Sequence, residues 1–356
     1  MKGIYIKIVA ILAIAVFAAP AVAAATGQVS EGVEEFVSYY DQLDLNGKAI
    51  YDAMNSAEAD ETSITVKLPV ALTAASDDSG DGVAYLKKHI KTTVDNAFVA
   101  LRLSSPLAYW TWEQSVVTYD DEPIVVSGVA TKTTLVFKIS YALYPVDQET
   151  GVFQGIQKML DDLETEISKF QTTSDTIRGK VLDINNYLVN LVTYDPNWLR
   201  DNQSKYTHDV YGVFVDPLHY AVCDGYSKAF LLLCEREGIE SVVVLGTALP
   251  KLENHAWNYV KMDDGEWYAM DVTWNDNGQG DNPYFLNGGE TFFTNHQQTV
   301  FLTNGVLAYR LNSPAISATA YDAPGTDNYE LYSWLLAIVI VSAMSIALYR
   351  FAKKGS

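Results

Sequence analysis

The sequence contains little cysteine and little positive charge. Its 356 residues include two cysteines, Cys223 and Cys234, and no C-x-x-C or H-x-x-H pair, so the spacing typical of structural zinc sites is absent. Lysine and arginine number 24 against 44 aspartates and glutamates, which gives a net charge of −20. Such a surface repels nucleic acid, so no nucleic-acid partner is expected. An acidic surface of this kind indicates a role in solubility or adaptation to a salty habitat rather than a dedicated cationic partner.

Long uncharged runs are also rare, and the two that occur lie near the ends of the chain. Residues 1–25 begin with Lys2 and Lys7, continue through an apolar stretch at 8–19 and end in the small-residue sequence 21–23, which is the pattern of a secretory signal peptide. An uncleaved membrane anchor is the alternative, although the apolar stretch is short for a spanning helix. Export of the chain is therefore predicted.

The second run, 331–349, is rich in Leu, Ile, Val and Ala and is long enough to cross the ~30 Å hydrocarbon core of a membrane as a helix. Basic residues follow it in the tail 350–356 and acidic residues precede it, so the tail is predicted to be cytoplasmic. Residues 311–330 have the Ser, Ala, Thr, Pro and Asp content typical of a stalk linker. The sequence thus predicts a single-pass protein of the cell membrane with an extracellular body.

The body divides into two predicted units, 26–150 and 151–310, with a boundary near 145–151 and no internal repeat. The first unit is a small α+β domain without a chemical signature. Hydrophobic periodicity predicts the following elements. They are helices at 33–54, 83–101, 153–170 and 174–192, the last capped by Ser174, and strands at 62–72, 113–119 and 133–144.

The first cysteine lies at the start of a predicted helix, 223–237. Apolar residues recur at helical spacing from Tyr226 to Cys234, and Gly238 follows where a helix would end. Such a helix separates Cys223 from Cys234 by about 16 Å, whereas a disulfide requires Cα atoms within about 7 Å, so the two do not pair. Cys234 is therefore predicted to be core. The free amides and dipole of a first helical turn favour a thiolate at Cys223, and a buried, inert thiol is the alternative.

A hairpin is predicted downstream, in ENHAWNYVKMDDGEWYAMDVTWND, around the loop residues Asp263, Asp264 and Gly265. A two-residue loop would place His255 opposite Trp274, with Asp271 on the other face. A three-residue loop ending in a left-handed glycine places His255 opposite Thr273 and diagonal to Asp271 on one face, and the position of the glycine favours this second loop. Diagonal neighbours lie about 7 Å apart, so Asp271 is predicted to hold the His255 ring and to favour its imidazolium.

A thiolate at a helix start and a histidine oriented by a carboxylate form a Cys-His-Asp arrangement for acyl transfer. Cys223 is predicted to attack a carbonyl carbon, His255 to carry the proton and Asp271 to orient His255, with the backbone N–H of Cys223 as an oxyanion donor. No cofactor or metal is expected. Each of these residues also has an ordinary structural interpretation, and a zinc site formed by the same three is a further alternative.

These motifs resemble those of a known family. The segments AVCDGYSKAF, NHAWN and DGEWYAMDVTW resemble the transglutaminase-like (transglutaminase/protease) superfamily, whose core reads C-x-G-Y-(A/S)-x-A-F, H-A-W-N and D-G-x-W-Y-x-x-D-x-T-W. Three separated blocks agree in order and spacing over 174–276, aromatic residues included. The resemblance assigns the nucleophile of the family to Cys223, its histidine to His255 and its acid to Asp271.

The resemblance implies an α+β fold with a papain-like, transglutaminase-like core, in which the nucleophile helix packs on an antiparallel sheet. The small α+β domain precedes this core, and the transmembrane helix follows it. The implied function is that of a thiol enzyme at the cell surface, acting on amide bonds of a protein or peptide substrate by peptidase-like hydrolysis or protein-glutamine acyl transfer. A non-catalytic scaffold or binding module that retains the fold is the alternative.

Other residues near the nucleophile are less clearly assigned. His208 and Tyr211 lie where relatives often carry a His and a Tyr, which predicts either a second oxyanion donor or simple packing. The stretch Leu218-His219-Tyr220 departs from the family, because many relatives carry a Gly-bearing turn there. His89, His219 and His296 have no partner signature and are predicted to be structural.

Overall fold

The structure is a computed structural model, and it describes most of the body of the protein. The described residues are 10–12, 36–59, 61–75, 81–108, 116–140, 155–196, 205–298, 302–303, 306–307 and 311–322. Most of the predicted signal peptide, the domain boundary near 145–151 and the predicted spanning helix at 331–349 lie outside these residues. In the part of the chain that is described, no helix combines the length and the apolar character needed to cross a membrane.

The N-terminal unit consists of two helices and an antiparallel sheet of the order β1-β3-β5-β2, with β4 paired to β5, and its strand β1 comes from within the predicted signal peptide 1–25. Its helices are α1 (Leu45–Asn55) and α2 (Asp81–Ser104), and its strands are β1 (Ala10–Leu12), β2 (Ser63–Ala75), β3 (Val116–Tyr119), β4 (Ile124–Val126) and β5 (Val129–Ser140). Strand β2 buries Ile64, Val66 and Leu68, as its period-two pattern predicts. Helices and strands both occur in this part of the chain, as a mixed α/β fold requires.

The first helix begins later than predicted. The periodic pattern extends back to residue 33, but the structure starts α1 at Leu45 because Asp44 caps it, with the Asp44 carboxylate accepting a hydrogen bond from the Gly47 N–H at 2.6 Å. Phe36 and Tyr39, which precede this helix, pack against residues of the second unit. The Phe36 ring contacts Trp267 at 5.6 Å, and the Tyr39 hydroxyl donates to the Val243 carbonyl at 2.9 Å. This segment therefore joins the N-terminal unit to the second unit.

The second unit contains a four-stranded antiparallel sheet of the order β10-β9-β8-β11 and the helices that cover it. Its helices are α3 (Ile156–Ile167), α4 (Ile177–Leu191), α5 (Val210–Phe214), α6 (Cys223–Arg236), α7 (Val272–Asn275) and α8 (Gly289–Phe292). Its strands are β6 (Thr193–Tyr194), β7 (Tyr220–Ala221), β8 (Ser241–Ala248), β9 (Glu253–Lys261), β10 (Trp267–Met270), β11 (His296–Gln298), β12 (Leu302–Thr303) and β13 (Val306–Leu307).

Helix α6 lies at the centre of this unit. Every residue from Cys223 to Cys234 is buried, as expected of a helix covered on all sides rather than along one stripe. The Asn258 side chain attaches α6 to the sheet, because its amide donates to the Ser227 carbonyl of α6 at 3.0 Å and to the Val242 carbonyl of β8 at 3.4 Å. Helix α6 and the sheet therefore have a fixed relative position.

Two boundary predictions require correction. The cap of α4 is Thr176 rather than Ser174, since the Thr176 hydroxyl accepts from the Gly179 N–H at 3.1 Å. The described part of the predicted stalk, 311–322, lies on the second unit, where the Ser317 N–H donates to the Trp267 carbonyl and the Tyr321 N–H to the Leu286 carbonyl. Backbone hydrogen bonding to the sheet edge thus makes this part of the polar stretch a component of the body.

Candidate active site

Cys223 is the first residue of α6 and is buried, with 7% of its surface exposed. The helix has Val222 at its N-cap and no side-chain capping hydrogen bond, so the first-turn amides are not covered by a cap. Cys223 and Cys234 are both free, and the prediction that the helix keeps them apart is confirmed. Cys234 is completely buried, as predicted for a core thiol, and burial raises its pKa well above the ordinary value.

The hairpin has the three-residue loop that the glycine predicted. Met262 and Glu266 pair across it, with the Met262 N–H donating to the Glu266 carbonyl at 2.9 Å, and Gly265 has a φ of +85°. Lys261 faces Trp267 and Asn258 faces Met270. His255 therefore lies on the register that makes Asp271 its diagonal neighbour, and the predicted register is confirmed.

Asp271 meets His255 at the end of this hairpin. The Asp271 Oδ2 atom lies 2.7 Å from His255 Nε2, and both side chains are buried. Strand β10 ends at Met270, three residues short of the predicted pairing of His255 with Thr273, because Asp271 caps α7 by accepting from the Trp274 N–H at 3.1 Å. One oxygen of the carboxylate therefore accepts a backbone hydrogen bond, and the other contacts the imidazole.

The electrostatics favour a charged histidine. Burial alone would lower the pKa of His255, but the Asp271 charge, the hydrogen bond to Asp271 and the interaction with the Cys223 side chain raise it to about 10. Burial would raise the pKa of Asp271, but the His255 charge and the hydrogen bonds from His255 and His296 hold it below its usual range. Because Nε2 of His255 is bound to Asp271, Nδ1 is the nitrogen available to Cys223.

His296, which has no partner signature in the sequence and is predicted to be structural, contacts the same carboxylate as His255. It is buried in β11, and its Nε2 atom lies 3.0 Å from the same Asp271 Oδ2 that His255 contacts. No spacing motif indicates this pairing, because it depends on β11 joining the far side of β8, with His296 opposite Ala248. The clue in the sequence is the placement of His296 close after the aromatic pair Phe292 and Phe293, which is typical of a buried position.

His255, Asp271 and His296 are also the group, among the described residues, that could hold a metal ion. One ligand atom from each lies within 4.8 Å of the others. The zinc alternative from the sequence used Cys223 as the third ligand, whereas the structure groups the other two residues with His296. The two histidine Nε2 atoms lie 2.7 and 3.0 Å from one Asp271 oxygen, distances that are typical of hydrogen bonds and shorter than the separation of two ligand atoms on a shared zinc ion.

His208 belongs to a buried ionic network that includes Asp224, the residue after Cys223. Its Nδ1 atom lies 2.6 Å from Asp224 Oδ1, and Asp224 also accepts from Arg102 of α2 at 2.9 Å. Lys228 lies beside them and donates to the His208 carbonyl at 2.6 Å. The structure therefore favours the packing interpretation of His208 over the role of oxyanion donor.

His219 has a φ of +48°, the left-handed conformation that the glycine-bearing turn of relatives would adopt easily.

Replacing Asp224 with asparagine is expected to destabilise the fold by about 3 to 5 kcal/mol, because Arg102 and Lys228 then lose a buried counter-charge. Burial would raise the pKa of Asp224, but His208, Lys228 and Arg102 hold it well below its usual range, so the ionised form is the native one. Urea unfolding at pH 7 measures the change. The control is Asp175→Asn at an exposed position, which is expected to leave the midpoint within experimental error. An Asp224→Asn midpoint equal to the control would contradict the prediction.

The comparisons with known proteins agree with the motifs. Residues 162–272 match the family model of the transglutaminase-like superfamily, a segment that contains Cys223, His255 and Asp271. This segment is similar to the core of that superfamily, and the resemblance predicted from the sequence is confirmed. No curated protein matches the sequence.

Several solved structures are similar to the chain at low identity. A crystal structure of a TGase is 17% identical, with a TM-score of 0.29, over 66% of this chain and 56% of that one. The periplasmic domain of TgpA from Pseudomonas aeruginosa is 13% identical, with a TM-score of 0.21, over 70% of this chain and 98% of that domain. A Cytophaga hutchinsonii protein provisionally named a cysteine protease is 15% identical, with a TM-score of 0.23, over 45% of this chain and 64% of that protein. Because these scores are low, the assignment of the core rests on the family model.

Proposed function

We propose that this chain is a thiol enzyme that acts on amide bonds of proteins or peptides through a Cys223-His255-Asp271 triad. The observation that supports the proposal best is the placement of a charged, carboxylate-held imidazole beside a cysteine at the first turn of α6. A cysteine needs a thiolate to act as a nucleophile, and an adjacent imidazolium together with the helix dipole stabilises one.

The proposed chemistry has two steps. The Cys223 thiolate adds to the amide carbonyl, and the oxyanion that forms accepts a hydrogen bond from the Cys223 N–H. His255 gives its proton to the departing amine as the tetrahedral intermediate collapses to a thioester. Water or an amine then attacks the thioester while His255 takes the proton of the attacking group, and the Cys223 thiolate leaves. Water gives peptidase-like hydrolysis, and an amine gives protein-glutamine acyl transfer.

We favour hydrolysis, because the aromatic faces of the hairpin offer no evident lysine-binding feature. Incubation of residues 26–330 with a peptide library and a labelled amine separates the two reactions, with Cys223→Ala as the blank. New peptide termini without amine incorporation support hydrolysis, and label on glutamine side chains supports transfer. If neither product exceeds the blank, the protein is better described as a non-catalytic scaffold of this fold.

The proposal also includes export and anchoring, with the body outside the cell. Its support is the sequence of residues 1–25 and 331–349, together with the basic tail that follows the second segment. Deletion of 331–356 is expected to move the protein from the membrane fraction to the medium or the periplasm. Retention of the truncated protein inside the cell would contradict the export of the chain.

A further inference from the structure

We propose that His296 is a positioning residue of this site, which acts through Asp271 by sharing the carboxylate oxygen that holds His255. The inference rests on the proposed roles of Cys223, His255 and Asp271 and adds a fourth residue to them. In this role, His296 limits how strongly Asp271 retains the proton on His255.

The contacts of Asp271 carry the argument. Its Oδ2 atom meets His255 Nε2 at 2.7 Å and His296 Nε2 at 3.0 Å, while its Oδ1 atom accepts from the Trp274 N–H at 3.1 Å. Asp271 is completely buried, so solvent does not replace a lost donor. Two histidines from different strands therefore divide one oxygen between them, and a change at either one alters the interaction that remains for the other.

His296 is itself held in place. Its ring stacks on Phe292 with a centroid separation of 3.9 Å, and its Nδ1 atom lies 2.7 Å from Asn295 Oδ1. The Asn295 amide in turn donates to the Tyr284 hydroxyl at 2.8 Å. A histidine with both ring nitrogens committed and one face stacked has no freedom to turn away from Asp271, which is the arrangement a positioning residue requires.

Few other charged or titratable groups surround Asp271. Among the described residues, His255 faces it from β9 and His296 from β11, and Cys223 of α6 lies beyond His255. The Tyr284 ring packs against His296 at 5.5 Å. Removal of the His296 donor leaves the carboxylate more basic and more tightly bound to the His255 proton. His255 then becomes a weaker acid towards the departing amine, so proton transfer slows.

The test follows the rate of Cys223 alkylation by iodoacetamide against pH, which requires no substrate. In the wild type the rate is expected to exceed that of a model thiol at neutral pH, after a first transition in which the Cys223 thiolate forms. A second transition in the rate is expected at higher pH, where His255 loses its proton. In His296→Phe, which keeps a stacked ring, the second transition is expected to move to higher pH by about 0.5 to 1 unit. His296→Gln restores a donor and is expected to return the transition towards the wild-type pH.

Turnover gives a second readout once a substrate is known. His296→Phe is expected to lower kcat by about 3- to 10-fold with little change in KM, because His296 does not touch the substrate. His89→Phe, at an exposed histidine of α2, is the matched control and is expected to behave as the wild type. If His296→Phe does not fold by circular dichroism, His296→Asn, whose amide is too short to reach Asp271, replaces it.

The outcomes separate the two proposals. If wild-type Cys223 reacts no faster than a model thiol, the proposed function and this inference both fail. If the wild type reacts rapidly and the folded His296→Phe variant keeps the wild-type transition, this inference alone is overturned. One equivalent of zinc bound by the wild type and lost in His296→Phe would assign the cluster to a metal and would also overturn it.

Discussion

Replacement of Cys223 with alanine is expected to lower kcat/KM on the best peptide substrate on the order of 10⁴- to 10⁶-fold, because no thioester forms without the thiol. The reason for so large an effect is that the other parts of the site act on the adduct of Cys223 with the substrate. His255 has no nucleophile to activate, and the first amides of α6 have no oxyanion to stabilise. Activity measured on peptides identified in the library experiment tests the expectation.

The second cysteine provides the matched control. Cys234 lies on the same helix, is completely buried and has a pKa raised well above its usual value by burial. Cys234→Ala is expected to keep wild-type kcat/KM while costing about 1 kcal/mol of stability from lost packing. Mass spectrometry after brief iodoacetamide treatment at pH 7 should find the label on Cys223 alone. Equal labelling of both cysteines, or comparable activity in the two variants, would rule out Cys223 as the nucleophile.

The elements that the sequence predicted well depend on local signals. The start of α6, the three-residue loop at Gly265 and the diagonal placement of His255 and Asp271 all follow from helix spacing and turn chemistry over a few residues. Such signals are contained in the segment that folds, so they can be read without knowledge of distant contacts. The family motifs reinforced the same three residues.

The features that were missed depend on contacts between distant segments. His296 reaches Asp271 because β11 pairs with β8, and the Arg102 side chain of α2 reaches Asp224 of α6 across 122 positions of the sequence. Neither pairing leaves a periodic pattern or a motif, since each side chain looks ordinary in its own segment. The start of α1 was placed too early for a related reason, because the apolar residues before Asp44 pack on the second unit instead of continuing the helix.

Replacement of Asp271 with alanine is expected to lower kcat on the order of 10⁴-fold, the second largest effect, because His255 loses both its orientation and its charge partner. Two buried histidines also lose their common acceptor, so the variant should be less stable as well. Asp271→Asn separates the two contributions, since its amide oxygen still accepts from an imidazole but carries no charge. We therefore expect the asparagine variant to retain more activity than the alanine variant.

The pH profile of Asp271→Asn distinguishes charge from orientation. Burial lowers the pKa of His255, and the Asp271 charge is the largest influence that opposes it and raises the value to about 10. Activity that needs the His255 proton is thus present at lower pH and is lost as pH rises through that value in the wild type. Without the charge, this alkaline limb should move to lower pH, which is opposite to the shift expected for His296→Phe. If both variants shift in the same direction, the two residues do not act on His255 through a shared carboxylate.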